Sequence, residues 1–145
     1  STYVTAGIWH HWCYVFNGAG AGNLDKAKIY IDGVERSDTQ VSGTVPATIA
    51  TMTGINFYYG YTSNTLDGKF ADCRIYSDAK SATEISIIYQ ERGADGITTN
   101  LVSRHIMDEL TTGTNCTGTV TDIQGNYNGT PANTPVYREV PLTLI

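Results

Sequence analysis

The sequence predicts an all-β protein, a two-sheet antiparallel β-sandwich of the jelly-roll type with one short helix. Glycine and tyrosine are abundant, with 15 Gly and 10 Tyr in 145 residues, while only 16% of residues are charged. This composition suits short strands joined by tight turns. Strand-like segments also recur about every ten residues with turn residues between them, which is typical of sandwiches. The length is sufficient for one domain with one core.

The first predicted strands cover residues 9–16, 28–31 and 34–36. Residues 9–16 are rich in aromatic and β-branched residues and are followed by Asn17-Gly18. A Gly- and Ala-rich loop is expected over residues 18–23. Asp32-Gly33 separates two alternating runs, and this pair favours the type I′ turn of a two-residue β-hairpin.

The middle of the chain predicts further strands. Residues 55–61 and 69–76 are predicted strands, and residues 39–53, which contain Pro46, are an edge strand or a long loop. Three strands are expected in the remainder, over residues 101–107, 119–123 and 136–145. Residues 125–130 between the last two are dense in turn-forming residues.

One segment has a helical period. Ser81 and Glu84 are spaced as a capping box, in which each side chain bonds to the backbone amide of the other residue. Apolar residues on one helical face follow at positions 85, 88 and 89, and Gly93 can end the helix.

The charge pattern restricts the partners. The net charge is −5, and the nine basic residues are scattered singly, so a nucleic-acid partner is not expected. No apolar run approaches the ~18 residues of a membrane span, so membrane insertion is not expected either. Cys13, Cys73 and Cys116 favour three thiols, with a Cys13–Cys73 disulfide as the alternative.

Three ordered stretches resemble the concanavalin A-like, laminin G-like jelly-roll family. They are Trp9-His10-His11 leading to Asn17-Gly18; Ile29-Tyr30-Ile31-Asp32-Gly33; and Gly68-Lys69-Phe70-Ala71-Asp72-Cys73-Arg74-Ile75-Tyr76 followed by the capping box. Residues 1–92 are similar to the second half of the family, and residues 97–145 are similar to its opening strands. The arrangement is similar to modules of phage and marine bacterial surface proteins.

The reversed order of the two parts allows three arrangements. The chain spans the end of one module and the start of another, or its fold is circularly permuted, or strands are exchanged between chains. Because 145 residues can bury one core, the favoured expectation is a single laminin G-like sandwich over residues 1–145.

An enzyme is not expected. Retaining glycosidases need two carboxyl groups about 5 Å apart, and on this fold they stand on one strand; none of the five glutamates forms such a run. The neighbouring residues His10 and His11 would point to opposite faces of a strand, so they do not suit a shared zinc site.

The densest candidate sugar site is a group of tyrosines and asparagines: Tyr58, Tyr59, Tyr61, Asn56 and Asn64. Aromatic rings stack on the apolar faces of sugars, and amides bond to their hydroxyls. Trp12 and Tyr14 alternate along an earlier strand and are candidates for the same face. The alternative for all these rings is a place in the core or on ordinary surface.

The family resemblance also implies calcium, which prefers oxygen ligands at loop tips. The candidate ligands are Asp67, Asp72 and Asp122. The alternative is that Asp67 and Asp122 cap turns while Asp72 pairs with Arg74 or a backbone donor. The cofactor prediction is therefore none, or calcium.

These observations together predict a non-catalytic carbohydrate-binding or adhesion module of an extracellular, cell-surface or virion protein. The alternative is a structural or assembly domain, for example a decoration or fibre domain, that acts by protein–protein contact. The expected partner is a glycan or another surface protein, and a homo-oligomer is compatible with either function.

Overall fold

The structure, a computed structural model, describes residues 3–36, 43–50, 69–107 and 113–131. Within them lie the strands β1 (Trp12–Phe16), β2 (Ala27–Ile31), β3 (Val34–Glu35), β4 (Cys73–Tyr76) and β5 (Leu101–His105), and the helices α1 (Asn23–Lys26) and α2 (Ala82–Glu91). The strands form two antiparallel sheets, one of order β1-β2-β3 and one of β4-β5. The antiparallel pairing agrees with the predicted fold class.

The chain divides into two compact units. The first unit contains Ser1–Ile55 and Asp78–Thr99, and the second contains Asn56–Ser77 and Asn100–Ile145. The three-stranded sheet and both helices belong to the first unit, and the two-stranded sheet belongs to the second.

The hairpin of the first unit forms as predicted. Asp32 and Gly33 both have positive φ, 52° and 75°, as a type I′ turn requires. The turn fixes the register of the two strands, with Ile31 opposite Val34 and Tyr30 opposite Glu35. The predicted turn at Asp32-Gly33 is therefore confirmed.

The predicted capping box also forms. Ser81 Oγ accepts a hydrogen bond from Glu84 N (3.3 Å), and Ser81 N donates to Glu84 Oε2 (2.8 Å). Helix α2 ends in the left-handed region at Arg92 (φ 47°), followed by Gly93 (φ 97°). Ile85 of this helix is fully buried and completes a core cluster with Val15 and Tyr30.

The prediction of a single helix is wrong, because α1 is a second one. Its one turn is closed by the N–H groups of Asp25 and Lys26, which donate to Gly22 O, and Asp25 Oδ2 accepts from Gly22 N (3.1 Å). Four residues are too few to show a helical period in the sequence.

Several predicted strands are longer than the observed ones. Strand β1 begins at Trp12 rather than at residue 9, and β5 ends at His105 rather than at residue 107. Strand β4 begins at Cys73 rather than at residue 69, because Asp72 has a φ of 50° that is incompatible with an extended strand.

The prediction of a strand over residues 119–123 is wrong. This segment makes only an isolated bridge between Val120 and Gly129. Asp122 then turns the chain, since its carboxylate accepts hydrogen bonds from amides that follow it. Residues 43–50 contain no strand, and the remainder of the predicted segment 39–53, together with the predicted strands 55–61 and 136–145, lies outside the described residues.

In the described residues Cys13, Cys73 and Cys116 form no disulfide, in agreement with the favoured interpretation. Burial raises the pKa of Cys13 to about 11. Burial, together with the charge of Asp72, raises the pKa of Cys73 to about 11. Within the part of the chain that the structure describes, neither helix has the length and apolar character needed to cross a bilayer.

Candidate functional site

Strand β1 presents two aromatic side chains to solvent. Trp12 and Tyr14 keep 59% and 67% of their surface exposed, while Val15, which points to the other side, is buried. Side chains two apart on a strand lie on the same face. Trp12 and Tyr14 therefore share one face of the sheet, as the alternation in the sequence suggests.

The neighbouring strands extend this exposed surface. Ile29 lies opposite Tyr14, and the row that starts with Trp12 continues to Val34 through Ile31, which is itself buried. Ile29 and Val34 are exposed. We call Trp12, Tyr14, Ile29 and Val34 the aromatic strip.

The backbone holds the aromatic strip in place. All five residues of β1 pair with β2, and the opposite face of the sheet packs against Ile85 of α2. Two aromatic rings on a hydrogen-bonded strand lose little further conformational entropy on binding. The two rings are expected on this face from the sequence, whereas Ile29 and Val34 were missed, although the register of the Asp32-Gly33 hairpin could have located them.

His10 and Asp32 form a hydrogen-bonded pair that anchors the hairpin turn. His10 Nδ1 lies 2.7 Å from Asp32 Oδ2, and His10 Nε2 accepts from the backbone N–H of Thr5 (3.0 Å). Nδ1 therefore carries the proton that Asp32 accepts. Because Nε2 is engaged by a backbone amide, this pair does not have the free base of a nucleophilic triad.

Asp72 is held by two arginines. Its carboxylate accepts from Arg74 Nη2 (2.6 Å) and Arg104 Nε (2.6 Å), and each guanidinium makes a second bond to it. Burial alone would raise the pKa of Asp72, but these two guanidinium groups outweigh it and lower the pKa below 3.8. The contact with Arg74 was anticipated as the alternative to calcium; the contact with Arg104, 32 residues away, was not.

Asp122 is buried, with 2% of its surface exposed. Its carboxylate accepts hydrogen bonds from four backbone N–H groups. The donors, at 2.8 to 3.1 Å, are the N–H groups of Arg104, Gln124, Asn126 and Tyr127. Burial alone would raise the pKa of Asp122, but the four donors lower it below 3.8. This arrangement is the turn-capping alternative.

Two of the three candidate calcium ligands, Asp72 and Asp122, already have protein hydrogen-bond partners. Asp67 lies outside the described residues. In residues 3–36, 43–50, 69–107 and 113–131, no three His, Cys, Asp or Glu side chains are grouped so as to hold a metal ion. Calcium binding through Asp67, Asp72 and Asp122 stays a prediction.

The predicted sugar-binding cluster of Tyr58, Tyr59, Tyr61, Asn56 and Asn64 also lies outside the described residues. Its role stays a prediction. Of the aromatic residues named from the sequence as sugar contacts, Trp12 and Tyr14 are the ones whose exposure the structure gives.

A comparison with protein families assigns the fold. The family model described as the concanavalin A-like lectin/glucanases superfamily, of laminin G type, matches residues 1–86, more than half of the chain. The chain belongs to this superfamily. No curated protein and no solved structure gives a match. Concanavalin A-like domains are β-sandwich jelly rolls, and the two antiparallel sheets of this chain agree with that architecture.

Membership of the concanavalin A-like superfamily also bears on function. Its laminin G-like domains are typically non-catalytic, often mediate carbohydrate binding or adhesion, and commonly occur in extracellular or surface proteins. The matched residues include the hairpin, the aromatic strip and the start of α2. The similarity of residues 97–145 to the opening strands of the family lies beyond the match and stays a prediction.

Proposed function

We propose that this chain is a non-catalytic carbohydrate-binding or adhesion module of an extracellular, cell-surface or virion protein. The observation that carries the proposal is the exposure of Trp12 and Tyr14 on one face of a sheet. Exposed aromatic rings on a rigid strand are suited to stack on the apolar faces of sugar rings.

The spacing of the two rings suits a chain of sugars. Residues two apart on a strand are about 7 Å apart along it, so the rings can contact successive parts of one saccharide. Tyr58, Tyr59, Tyr61, Asn56 and Asn64 are proposed as further contacts, because asparagine amides can bond to the hydroxyl groups that aromatic rings do not engage.

The test is binding to a glycan array and to soluble polysaccharides, with and without a calcium chelator. Trp12→Ala and Tyr14→Ala should each weaken binding by about tenfold or more, since about 1.4 kcal/mol corresponds to a factor of ten. Tyr127→Ala is the matched control, because Tyr127 is 64% exposed and belongs to the second unit. Loss of binding with the chelator alone would support the proposed calcium site.

Two results would contradict the proposal. One is an absence of signal across the array, and the other is binding that Trp12→Ala and Tyr14→Ala leave unchanged. Tyr59→Ala tests the tyrosine cluster separately. If it alone removes binding, the sugar site is the cluster and not the aromatic strip.

The proposal of a non-catalytic module is supported by the typical character of laminin G-like domains and by the structural roles of two glutamates. Glu35 pairs with Lys28 and Tyr30, and Glu84 caps α2. Incubation with any polysaccharide that binds should therefore release no reducing ends. Measurable hydrolysis would place the chain with the glucanases of its superfamily.

An assembly domain is the second candidate, because the aromatic strip includes the aliphatic residues Ile29 and Val34. Exposed apolar surface that includes aliphatic side chains is also typical of protein–protein contacts. Two results together would favour this candidate over sugar binding. One is a closed oligomer in sedimentation that Val34→Ser dissociates, and the other is the absence of a glycan signal.

A further inference from the structure

The chain contains two Asn-Gly pairs, Asn17-Gly18 at the end of β1 and Asn128-Gly129 in the turn after Asp122. An asparagine before glycine can lose its side-chain amide without an enzyme, because the glycine nitrogen is unhindered and can reach the side-chain carbonyl carbon. The reaction needs access to water and a glycine N–H that can give up its proton. Both asparagines are exposed. What distinguishes the two pairs is therefore the state of the glycine nitrogen.

The nitrogen of Gly129 is engaged in a hydrogen bond. It donates to Val120 O (2.8 Å), and Gly129 O accepts from Val120 N (3.0 Å), so the two residues form a closed antiparallel bridge. Before this nitrogen can lose its proton and add to the side chain of Asn128, its bond to Val120 O must break, which costs free energy. The bridge therefore protects Asn128.

The nitrogen of Gly18 is in a different state. Across the described ranges of the chain, no hydrogen bond uses Gly18 N. The groups around it are held, since Asn17 N donates to Lys26 O (2.7 Å) and Gly20 N donates to Asn17 O (3.0 Å). The backbone on both sides of the attacking nitrogen is thus fixed, while the nitrogen itself is available.

The side-chain carbonyl of Asn17 is polarised by a backbone donor. Asn17 Oδ1 accepts from Ala19 N (3.2 Å). When the nitrogen of Gly18 adds to Asn17 Cγ, negative charge develops on this oxygen, and a donor already aimed at it stabilises that charge. Asn128 Oδ1 has a similar donor, Asp122 N at 3.0 Å. Because the two pairs share this feature and differ in the glycine nitrogen, Asn128 is a matched comparison within the same chain.

The fold requires glycine at position 18. A Cβ atom there would overlap the carbonyl oxygen of Ala47, which belongs to the backbone and cannot turn aside as the end of a side chain could. Every other residue type would hinder the nitrogen that follows Asn17, and every other residue type would also meet Ala47. The close packing against Ala47 therefore retains the reactive pair.

We propose that Asn17 is a site of spontaneous deamidation in the folded protein, through a cyclic imide formed by Gly18 N. This nitrogen bonds to Asn17 Cγ, the bond from Cγ to Nδ2 breaks, and Nδ2 leaves as ammonia with the proton that Gly18 N gives up. Water then opens the imide ring, so that asparagine and water become a carboxylate and ammonia. This site is separate from the proposed function, because Asn17 is not part of the aromatic strip.

Water can open the imide at either of its two carbonyl carbons. Opening at Cγ gives aspartate, whose carboxylate can keep the bond from Ala19 N. Opening at the backbone carbonyl carbon gives isoaspartate, in which the chain runs through Cγ. The carbonyl that accepts from Gly20 N then belongs to a side group, which weakens the turn after β1. Either product adds one negative charge to a chain whose net charge is −5.

The test is incubation of the folded full chain in neutral buffer made with H₂¹⁸O, followed by peptide mapping with mass spectrometry. The peptide that contains Asn17 should gain the mass of an exchange of NH for ¹⁸O. It should do so about tenfold faster than the peptide that contains Asn128, because the bridge of Gly129 must open first. An aromatic residue precedes the asparagine in both pairs. In guanidinium chloride, which removes the bridge, the two peptides should therefore react at similar rates.

Asn17→Ser is the variant that identifies the site. Its hydroxyl can still accept from Ala19 N, but it has no amide to lose, so the folded chain should lose most of its mass gain. Asn128→Ser is the matched control and should leave the mass gain unchanged. The proposal is overturned if Asn17 stays unmodified in the folded chain, if Asn128 reacts there as fast as Asn17, or if Asn17→Ser gains mass as fast as the parent chain. A tenfold difference that persists in guanidinium chloride would also overturn it, by assigning the difference to the sequence and not to the bridge.

Discussion

At the scale of single residues, Asp72 and Asp122 explain how the second unit tolerates charge in its interior. Asp72 is shared by two guanidinium groups, and Asp122 is surrounded by four backbone amides. In both cases the bonds to the ionised form outweigh the cost of burial. Both carboxylates therefore stabilise the folded state only while they carry their charge.

The pH dependence of stability follows from these two residues. Their pKa values are below 3.8 in the folded state and near 3.8 in the unfolded chain. Their contribution is complete above the unfolded pKa and is lost as the pH falls through the folded pKa, because the unfolded chain binds protons first. We expect the urea midpoint to fall steeply below about pH 4.

Asp122→Asn is the variant that tests this origin. It cannot ionise, so it should be less stable at neutral pH and should show a flatter decline below about pH 4. An equally steep decline in this variant and in Asp72→Asn would assign the acid sensitivity to other carboxyl groups.

At the scale of elements, the hairpin turn and the helix α2 meet at Gly33. A Cβ atom at this position would lie 3.1 Å from Tyr89 Cδ1 and 3.4 Å from Ser86 Cα, and its φ of 75° is unfavourable for any other residue. The glycine is therefore required both by the turn and by the close approach of the helix.

We expect Gly33→Ala to lower the free energy of unfolding by about 2 kcal/mol, from backbone strain and contact together. Gly7→Ala separates the two, since Gly7 has a φ of 80° but open space around it, and it should cost about 1 kcal/mol. Urea denaturation measures both. Equal losses in the two variants would show that the contact with Tyr89 carries no cost.

Helix α2 depends on its first residue. Ser81→Ala removes the acceptor for Glu84 N and should cost about 1 kcal/mol. Thr83→Ala, an exposed change in the same turn, is the control and should cost less than about 0.5 kcal/mol. If the two variants unfold at the same urea concentration, the capping box does not stabilise the protein.

The elements that could be predicted are those specified locally. Asp32-Gly33 and Ser81 with Glu84 define a turn and a helix start within four residues, and both form as predicted. The limits of β4 could not be predicted, because the left-handed backbone of Asp72 accompanies contacts with Arg104, which is distant in sequence.

At the scale of the whole molecule, the chain passes between the two compact units three times, after Ile55, Ser77 and Thr99. Each unit is therefore made of segments that are separated in sequence. The expectation of one domain over residues 1–145 stays a prediction, and a destabilised variant of one unit tests it.

Both tryptophans, Trp9 and Trp12, belong to the first unit, while Asp122 belongs to the second. Asp122→Ala leaves four amide donors without their acceptor and should cost about 3 kcal/mol. In a single cooperative domain, tryptophan fluorescence will report the full loss. Gln124→Ala is the control, because the described contact of Gln124 with Asp122 uses its backbone. An unchanged fluorescence midpoint in Asp122→Ala, with faster amide exchange at Ser103, would show two independent units.

The candidate site was only partly predictable for a similar reason. Alternation along one strand is enough to place Trp12 and Tyr14 on one face. The support behind the aromatic strip needs Ile85 of α2, which follows the hairpin by more than 40 residues, to approach Val15 and Tyr30 of the sheet.

The partly buried thiols of Cys13 and Cys73 have a practical consequence for the handling of the protein in air. Oxidation and alkylation proceed through the thiolate. With pKa values of about 11 for Cys13 and Cys73, only about one molecule in ten thousand carries either thiolate at pH 7. These two side chains should therefore react slowly with iodoacetamide at neutral pH and contribute little to cross-linking between molecules, whereas at pH values near 11 both should become reactive.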